Sequence, residues 1–311
     1  MKKIVTLLAV AAMTVSVAFA QDINAVLETY NNGAMELEMG NKEAALGYFQ
    51  SAITEAQKLG EAGAEIVGNC QAYIPALLYD IANDKIETKQ FDAAYDYLTK
   101  TKEAAELYGD TAKAAQAKAK MSQVLMQKAN TLVKAKDYAG AIAACNQIMA
   151  DNPDNAMAAL LLGQCYSATG NFDKAEEALA IAAANGKEKQ ANKELSKLFA
   201  KKAAVAFNEK KTQLAYDFAV KSNEYLENSR ALNIAGKTAM QLGKVEEGLA
   251  YLEKYVAAAP NAKDANQMRF NIAATAQKLG DKEKAKEYYQ QILADPKLGA
   301  EAKKQLDALN K

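Results

Sequence analysis

The side chains best suited to proton transfer are missing from this chain: none of its 311 residues is a histidine. That removes the commonest general base, the usual zinc ligand and every Ser–His or Cys–His nucleophile pair. The three thiols, Cys70, Cys145 and Cys165, are too scattered in sequence for a zinc site. Cys145 and Cys165 lie on apolar helical stretches and read as small core residues, with a bridge between them left open. Adjacent carboxylates occur at Glu176-Glu177 and Glu246-Glu247, on the polar side of helical patterns, where a solvated surface explains them better than an acid/base pair. The lysine-rich stretch from Lys197 to Lys211 would suit a nucleic acid only on a basic chain, and the whole chain balances 38 basic against 38 acidic residues. No glycine-rich phosphate loop is present. These residues predict no enzyme, no cofactor, no metal and no nucleic-acid partner.

The elements that would have to position any site are helical. Ala, Lys, Glu, Leu and Gln dominate, only four prolines occur, and β-branched runs are nearly absent after residue 20. The clearest stretch runs from Asn155 to Ala182. Leu162, Gly163 and Tyr166 share one face of its first helix, and Phe172, Ala175, Leu179 and Ala182 form one stripe of its second, with a turn at Thr169-Gly170-Asn171. Two such short helices cannot bury their own stripes, so they need neighbours of the same kind.

The chain supplies them. Pairs are expected near 22–59, 64–107, 112–151, 154–184, 188–226, 228–259 and 261–295, with a polar-backed cap over 298–311. Asp22 is expected to N-cap the first helix, and Pro75 either opens the third or kinks a longer one. In the fifth pair Lys210-Lys211-Thr212 stands where other pairs carry a glycine turn. The small residue of each second helix, Ala45, Ala94, Ala141, Ala175, Ala215, Gly248 and Ala285, recurs at steps of 49, 47, 34, 40, 33 and 37 residues.

That recurrence, with its Gly-Asn, Gly-Lys or Gly-Asp turns, resembles the tetratricopeptide repeat, whose period is about 34 residues. The opening tryptophan often seen in such repeats is replaced here by Leu, Ala or Tyr. The resemblance implies an all-α, right-handed superhelical solenoid forming one domain over 21–311. It also implies a groove lined by first helices that holds a protein or peptide partner. Aligned to the family pattern, the partner-facing residues are Tyr30, Tyr79, Asn83, Met126, Asn130, Gln164, Asn233, Lys237, Met240, Phe270 and Gln277. Leu160, Val133 and Phe207 fall on the same helices and serve packing as readily as binding. The lysine clamp that some family members close on a carboxylate-ended tail is not reproduced beside Asn83 and Asn130.

Residues 1–20 read as a signal peptide: Lys2 and Lys3, an apolar run from Ile4 to Val17, then Ala18-Phe19-Ala20 before Gln21. The residue at the cleavage point is Gln21 rather than a cysteine, so a lipoprotein is not expected, and no later segment is apolar enough to span a membrane. An exported chain, periplasmic or secreted, in a Gram-negative envelope is the expectation. The alternatives to a binding scaffold are a self-assembling structural protein, in which case a homo-oligomer forms, and a glycan-associated envelope factor.

Overall fold

The computed structural model describes residues 17–310, and among them are helices and no strand. Residues 1–16 of the expected leader therefore lie outside the described residues, and 17–20 open the first helix. The chain divides into two compact units between Thr131 and Leu132.

The first unit contains α1 (Val17–Glu38), α2 (Lys42–Gln57), α3 (Ala64–Glu87), α4 (Phe91–Leu107) and most of α5 (Thr111–Lys134). Asp22 is inside α1 rather than at its cap, because the helix continues back through 17–21. Pro75 is likewise interior to α3, its ring buried. A proline there forfeits one backbone hydrogen bond, and packing compensates: Ile74, Leu77 and Leu78 around it join Phe49, Ile53 and Ile66 in one core. Ala45, Phe49, Ala52 and Ala56 on α2 are all buried, at the spacing of one helical stripe. A second cluster joins Ala82, Ala94, Leu98, Ala117 and Val124 from α3, α4 and α5.

The second unit contains α6 (Tyr138–Asp151), α7 (Ala156–Ala168), α8 (Phe172–Ala182), α9 (Glu188–Asn208), α10 (Thr212–Tyr225), α11 (Ser229–Gln241), α12 (Val245–Ala258), α13 (Ala265–Lys278), α14 (Lys282–Gln290) and α15 (Gly299–Leu309). From α6 to α15 each helix packs on the next in chain order. α15 closes the stack with Ala302 buried, and Leu306 and Leu309 packed on the last core cluster.

One crossing geometry recurs. A Cβ built on Gly163 would lie 2.5 Å from Leu179 Cγ, and one on Gly236 would lie 2.6 Å from Leu252 Cγ. Both leucines are at most 2 % exposed, so each glycine exists to admit the leucine of its partner helix. In the first unit Gly33 receives Phe49 in the same way, at 3.0 Å.

The turns within pairs share a second device. Gly40, Gly170, Gly243 and Gly280 take left-handed backbone angles, with φ between +79° and +84°. In the other three pairs a lysine adopts that conformation: Lys89, Lys136 and Lys210, with φ of 59°, 63° and 58°. The hydrogen bonds do not change. The Lys211 N–H reaches Ala206 O at 2.9 Å, as the Asn41 N–H reaches Glu36 O at 2.8 Å.

Candidate functional site

The second unit carries a cleft of about 450 Å³ between α9, α11 and the loop after α12. Phe207 and Asn208 end α9 on one wall; Ser229, Arg230, Asn233 and Lys237 come from α11; Tyr255, Ala259 and Ala262 complete it. Asn228 caps α11 by accepting from the N–H groups of Arg230 and Ala231, which fixes where the helix starts and so where these side chains emerge.

Asp264 organises this cleft. Its carboxylate accepts from Asn233 Nδ2 at 2.9 Å, from Lys237 Nζ at 3.0 Å and from the Tyr255 hydroxyl. Burial alone would raise its pKa. The hydrogen bonds from Tyr255, Asn233 and Lys237, together with the Lys237 charge, outweigh that and hold it at about 2. Burial, and then the Asp264 contact, push the Tyr255 phenol above its ordinary value. Asn233 is thereby oriented by its amide nitrogen, while its Oδ1 is buried with no hydrogen-bond partner. A buried acceptor left unpaired costs about 1–3 kcal/mol, which a donor arriving with a ligand would recover. The same pairing recurs one repeat later, where Asn266 Nδ2 donates to Asp295 Oδ2 at 2.8 Å.

Of the residues expected to face a partner, Asn233 and Lys237 come together in this cleft, beside Phe207. Met240 packs over Gly248, whose added Cβ would meet Met240 Cγ at 2.9 Å. Phe270 lies edge-on to Tyr289, 5.6 Å between centroids. Gln277 accepts from the Tyr289 hydroxyl at 3.0 Å and donates to Gln305 at 3.3 Å. Gln164 is half-buried on α7. In the first unit Tyr30 rests on Phe49 at 5.5 Å, Tyr79 lies under Lys113 Nζ at 5.0 Å, and Asn83 is half-buried on α3. Asn130 is exposed on α5 and donates to the backbone oxygen of half-buried Met126, 2.9 Å away.

Sequence reasoning misses Arg230, Tyr255 and Asp264 as site residues. Asp264 sits in a loop 31 residues beyond Asn233, and only the second Asn–Asp pair, 29 residues apart, hints that the spacing is structural.

Several of the groups weighed for chemistry are tied up in structure, although Glu177 and Glu246 are exposed. Glu176 is not a freely solvated carboxylate: Lys221 donates to it at 2.9 Å and Lys202 at 3.4 Å. Glu247 accepts from the Tyr216 hydroxyl. Lys202, within the lysine-rich stretch, lies over the rings of Phe199 and Phe218 at 5.2 and 5.1 Å with only 13 % of its side chain exposed. All three thiols are free and buried, and burial pushes Cys70 and Cys145 up to about 12. Among the described residues no group of three or more His, Cys, Asp or Glu could hold a metal, and no helix is long and apolar enough to cross a membrane.

Among solved structures, the chain is similar to a MamA protein, at 19 % identity with a TM-score of 0.40, over 58 % of this chain and 94 % of that one. It is also similar to a thermophilic tetratricopeptide repeat protein of Thermus thermophilus, at 15 % identity and TM-score 0.29, over 60 % and 98 % of the two chains. For PilW, a type IV pilus biogenesis factor, the values are 18 % and 0.32, over 60 % and 92 %. No curated protein matches the chain. Tetratricopeptide repeat family models match residues 132–201, 213–263 and 267–294, which take in α11 and Tyr255 of the cleft but not Phe207, Asn208 or Asp264. With its helix pairs, glycine crossings and left-handed turns, the chain belongs to the tetratricopeptide repeat family.

Proposed function

We propose that this chain is a non-enzymatic scaffold that binds peptide or protein segments, with the cleft between α9 and α11 as one seat. Unpaired Asn233 Oδ1 carries the reading. It is an oriented, desolvated acceptor on the wall of a cleft that also offers Phe207 and Tyr255 for apolar contact and Arg230 for a backbone carbonyl. A peptide backbone N–H is the donor such an acceptor fits, and no step of catalysis is needed to use it. Met126, Asn130, Tyr79 and Asn83 in the first unit, and Gln164, Phe270 and Gln277 in the second, are further contact residues in this reading.

The N-terminal sequence supports export. Lys2 and Lys3, the apolar run and the small residues at 18–20 fit a cleaved leader, and with it a periplasmic protein of a bacterial envelope without a lipid anchor. In that reading other envelope proteins are the expected partners.

Selection of a random displayed-peptide library against the full chain tests the binding reading. The expected result is enrichment of peptides whose capture is lost in Phe207→Ala and Asn233→Ala while helicity is kept. Equal enrichment on wild type and both variants would remove the cleft from the function. No enrichment over a helical control protein would remove peptide binding. Light-scattering mass measured across concentration separates a scaffold, constant in mass, from a self-assembling structural protein, which grows.

A further inference from the structure

A second depression, of about 510 Å³, lies in the second unit where the loop after α12 meets α13 and the end of α14. It shares only Ala262 with the cleft described above. Its polar lining is Asn261, Lys263, Asn266, Arg269 and Gln291: two cations, three amides and no carboxylate. Elsewhere in this unit Lys221, Lys237 and Lys284 each reach a carboxylate within 3.0 Å.

The two cations have no anionic partner. Lys263 makes no ion pair or hydrogen bond with a described residue. Arg269 is one of only two arginines in the chain, and its hydrogen bonds go to neutral oxygens: Nη1 donates to Asn266 Oδ1 at 2.7 Å and Nη2 to Pro260 O at 3.0 Å. Its Nε is left without an acceptor. These contacts hold the guanidinium plane while leaving its charge uncompensated. Asn266 is itself fixed through its amide nitrogen by Asp295. The acids nearest in sequence are occupied elsewhere, Asp264 by Lys237, Tyr255 and Asn233, and Asp295 by Asn266 and the N–H groups of Lys297 and Leu298.

We infer that this depression is a binding site for a single oxyanion group, a phosphate or a carboxylate, with Arg269 as the oriented fork and Lys263 as a second charge. A planar guanidinium held in place presents paired N–H donors to such oxygens without first losing rotamer freedom. Asn261 is left to turn its amide N–H groups toward a remaining oxygen, while the amide nitrogens of Asn266 and Gln291 donate to Asp295 and Glu287. The inference does not depend on the peptide reading, since different side chains carry it.

Arginine Nε–Hε NMR of the full chain provides the test, because two arginines give at most two such signals, and Arg269→Lys identifies one by its loss. Inorganic phosphate and, separately, acetate are titrated at constant ionic strength. The expected result is a saturable shift of the Arg269 signal with Arg230 unmoved. Lys263→Gln, an exposed change that leaves the packing intact, should weaken that binding about fivefold, the size of one partly screened charge-assisted contact. Saturation at lower phosphate than acetate assigns a phosphate-bearing ligand, and the reverse order an acidic side chain or chain end. Linear movement of both signals together, no movement of Arg269, or unchanged affinity in Lys263→Gln would overturn the site.

Discussion

Adding one methyl group to Gly163 tests how α7 and α8 are held together. The new Cβ would stand 2.5 Å from Leu179 Cγ, 2.6 Å from its Cδ2 and 3.3 Å from Ala175 O. Leu179 is fully buried beside Ala175, Leu195, Leu198 and Phe199, so its side chain has no free space to retreat into. Overpacking of this kind costs about 1–3 kcal/mol. Alanine gains about 0.8–1.0 kcal/mol over glycine in helix propensity, which leaves Gly163→Ala destabilised by ~0–2 kcal/mol. Leu179→Ala alone opens a cavity and should cost ~2–5 kcal/mol. Combined, the two changes compensate, because the methyl at 163 enters the space the leucine vacates. The double variant should therefore be at least ~1 kcal/mol more stable than the sum of the single effects. Native-state hydrogen exchange of the α7 and α8 amides reads these energies locally, which matters in a repeat protein that need not unfold in one step. Additivity within ~0.5 kcal/mol would mean that the two residues do not meet, and the crossing would be wrong.

Other outcomes follow from the turns, the acid and the thiols. Lys210→Gly relieves a left-handed strain of about 1–2 kcal/mol and adds back glycine's extra chain entropy, so thermal denaturation should show a net gain of about 0.5–1 kcal/mol. Gly170→Lys, at the matching turn, should lower stability by a similar amount. Asp264 has its folded pKa depressed to about 2, so its contribution is fully present above the ordinary carboxylate range and is lost as pH falls from about 4 through 2. Far-UV circular dichroism on acidification should find that Asp264→Asn is less stable at neutral pH and loses less stability than wild type across that window. Cys70, Cys145 and Cys165 should resist a thiol reagent at pH 8 until denaturant is added, which mass spectrometry of the alkylated protein would show.

What the residues alone reveal is whatever repeats locally. The stripe through Ala175, Leu179 and Ala182, all buried, follows from helical spacing, which is a property of neighbours in sequence, whereas the seating of Leu179 against Gly163 on the paired helix does not. The left-handed lysines are harder to see. Nothing about Lys89, Lys136 or Lys210 marks a positive φ, and only their position after a first helix, matching Gly170 or Gly243, reveals the turn. Asp22 misleads because a good cap residue does not end a helix whose preceding residues also favour it. The cleft is half legible. Asn233 and Lys237 stand out from the repeat pattern, but the amide nitrogen and the ammonium serve Asp264, a partnership across 31 and 27 residues that no local periodicity encodes. Arg269 is invisible as a site residue for the same reason, since its orientation depends on the carbonyl of Pro260 in the preceding loop.

The scaffold reading stands or falls most directly on what lies against the cleft in cells. A photo-crosslinking amino acid at Ser229, on the wall of that cleft, irradiated in living cells and analysed by mass spectrometry, should give discrete adducts with one or a few envelope proteins. Phe207→Ala should abolish them, whereas the same crosslinker at exposed Glu283 on α14 should not form them. Adducts of equal yield from both positions, or none from Ser229, would contradict a partner seated there.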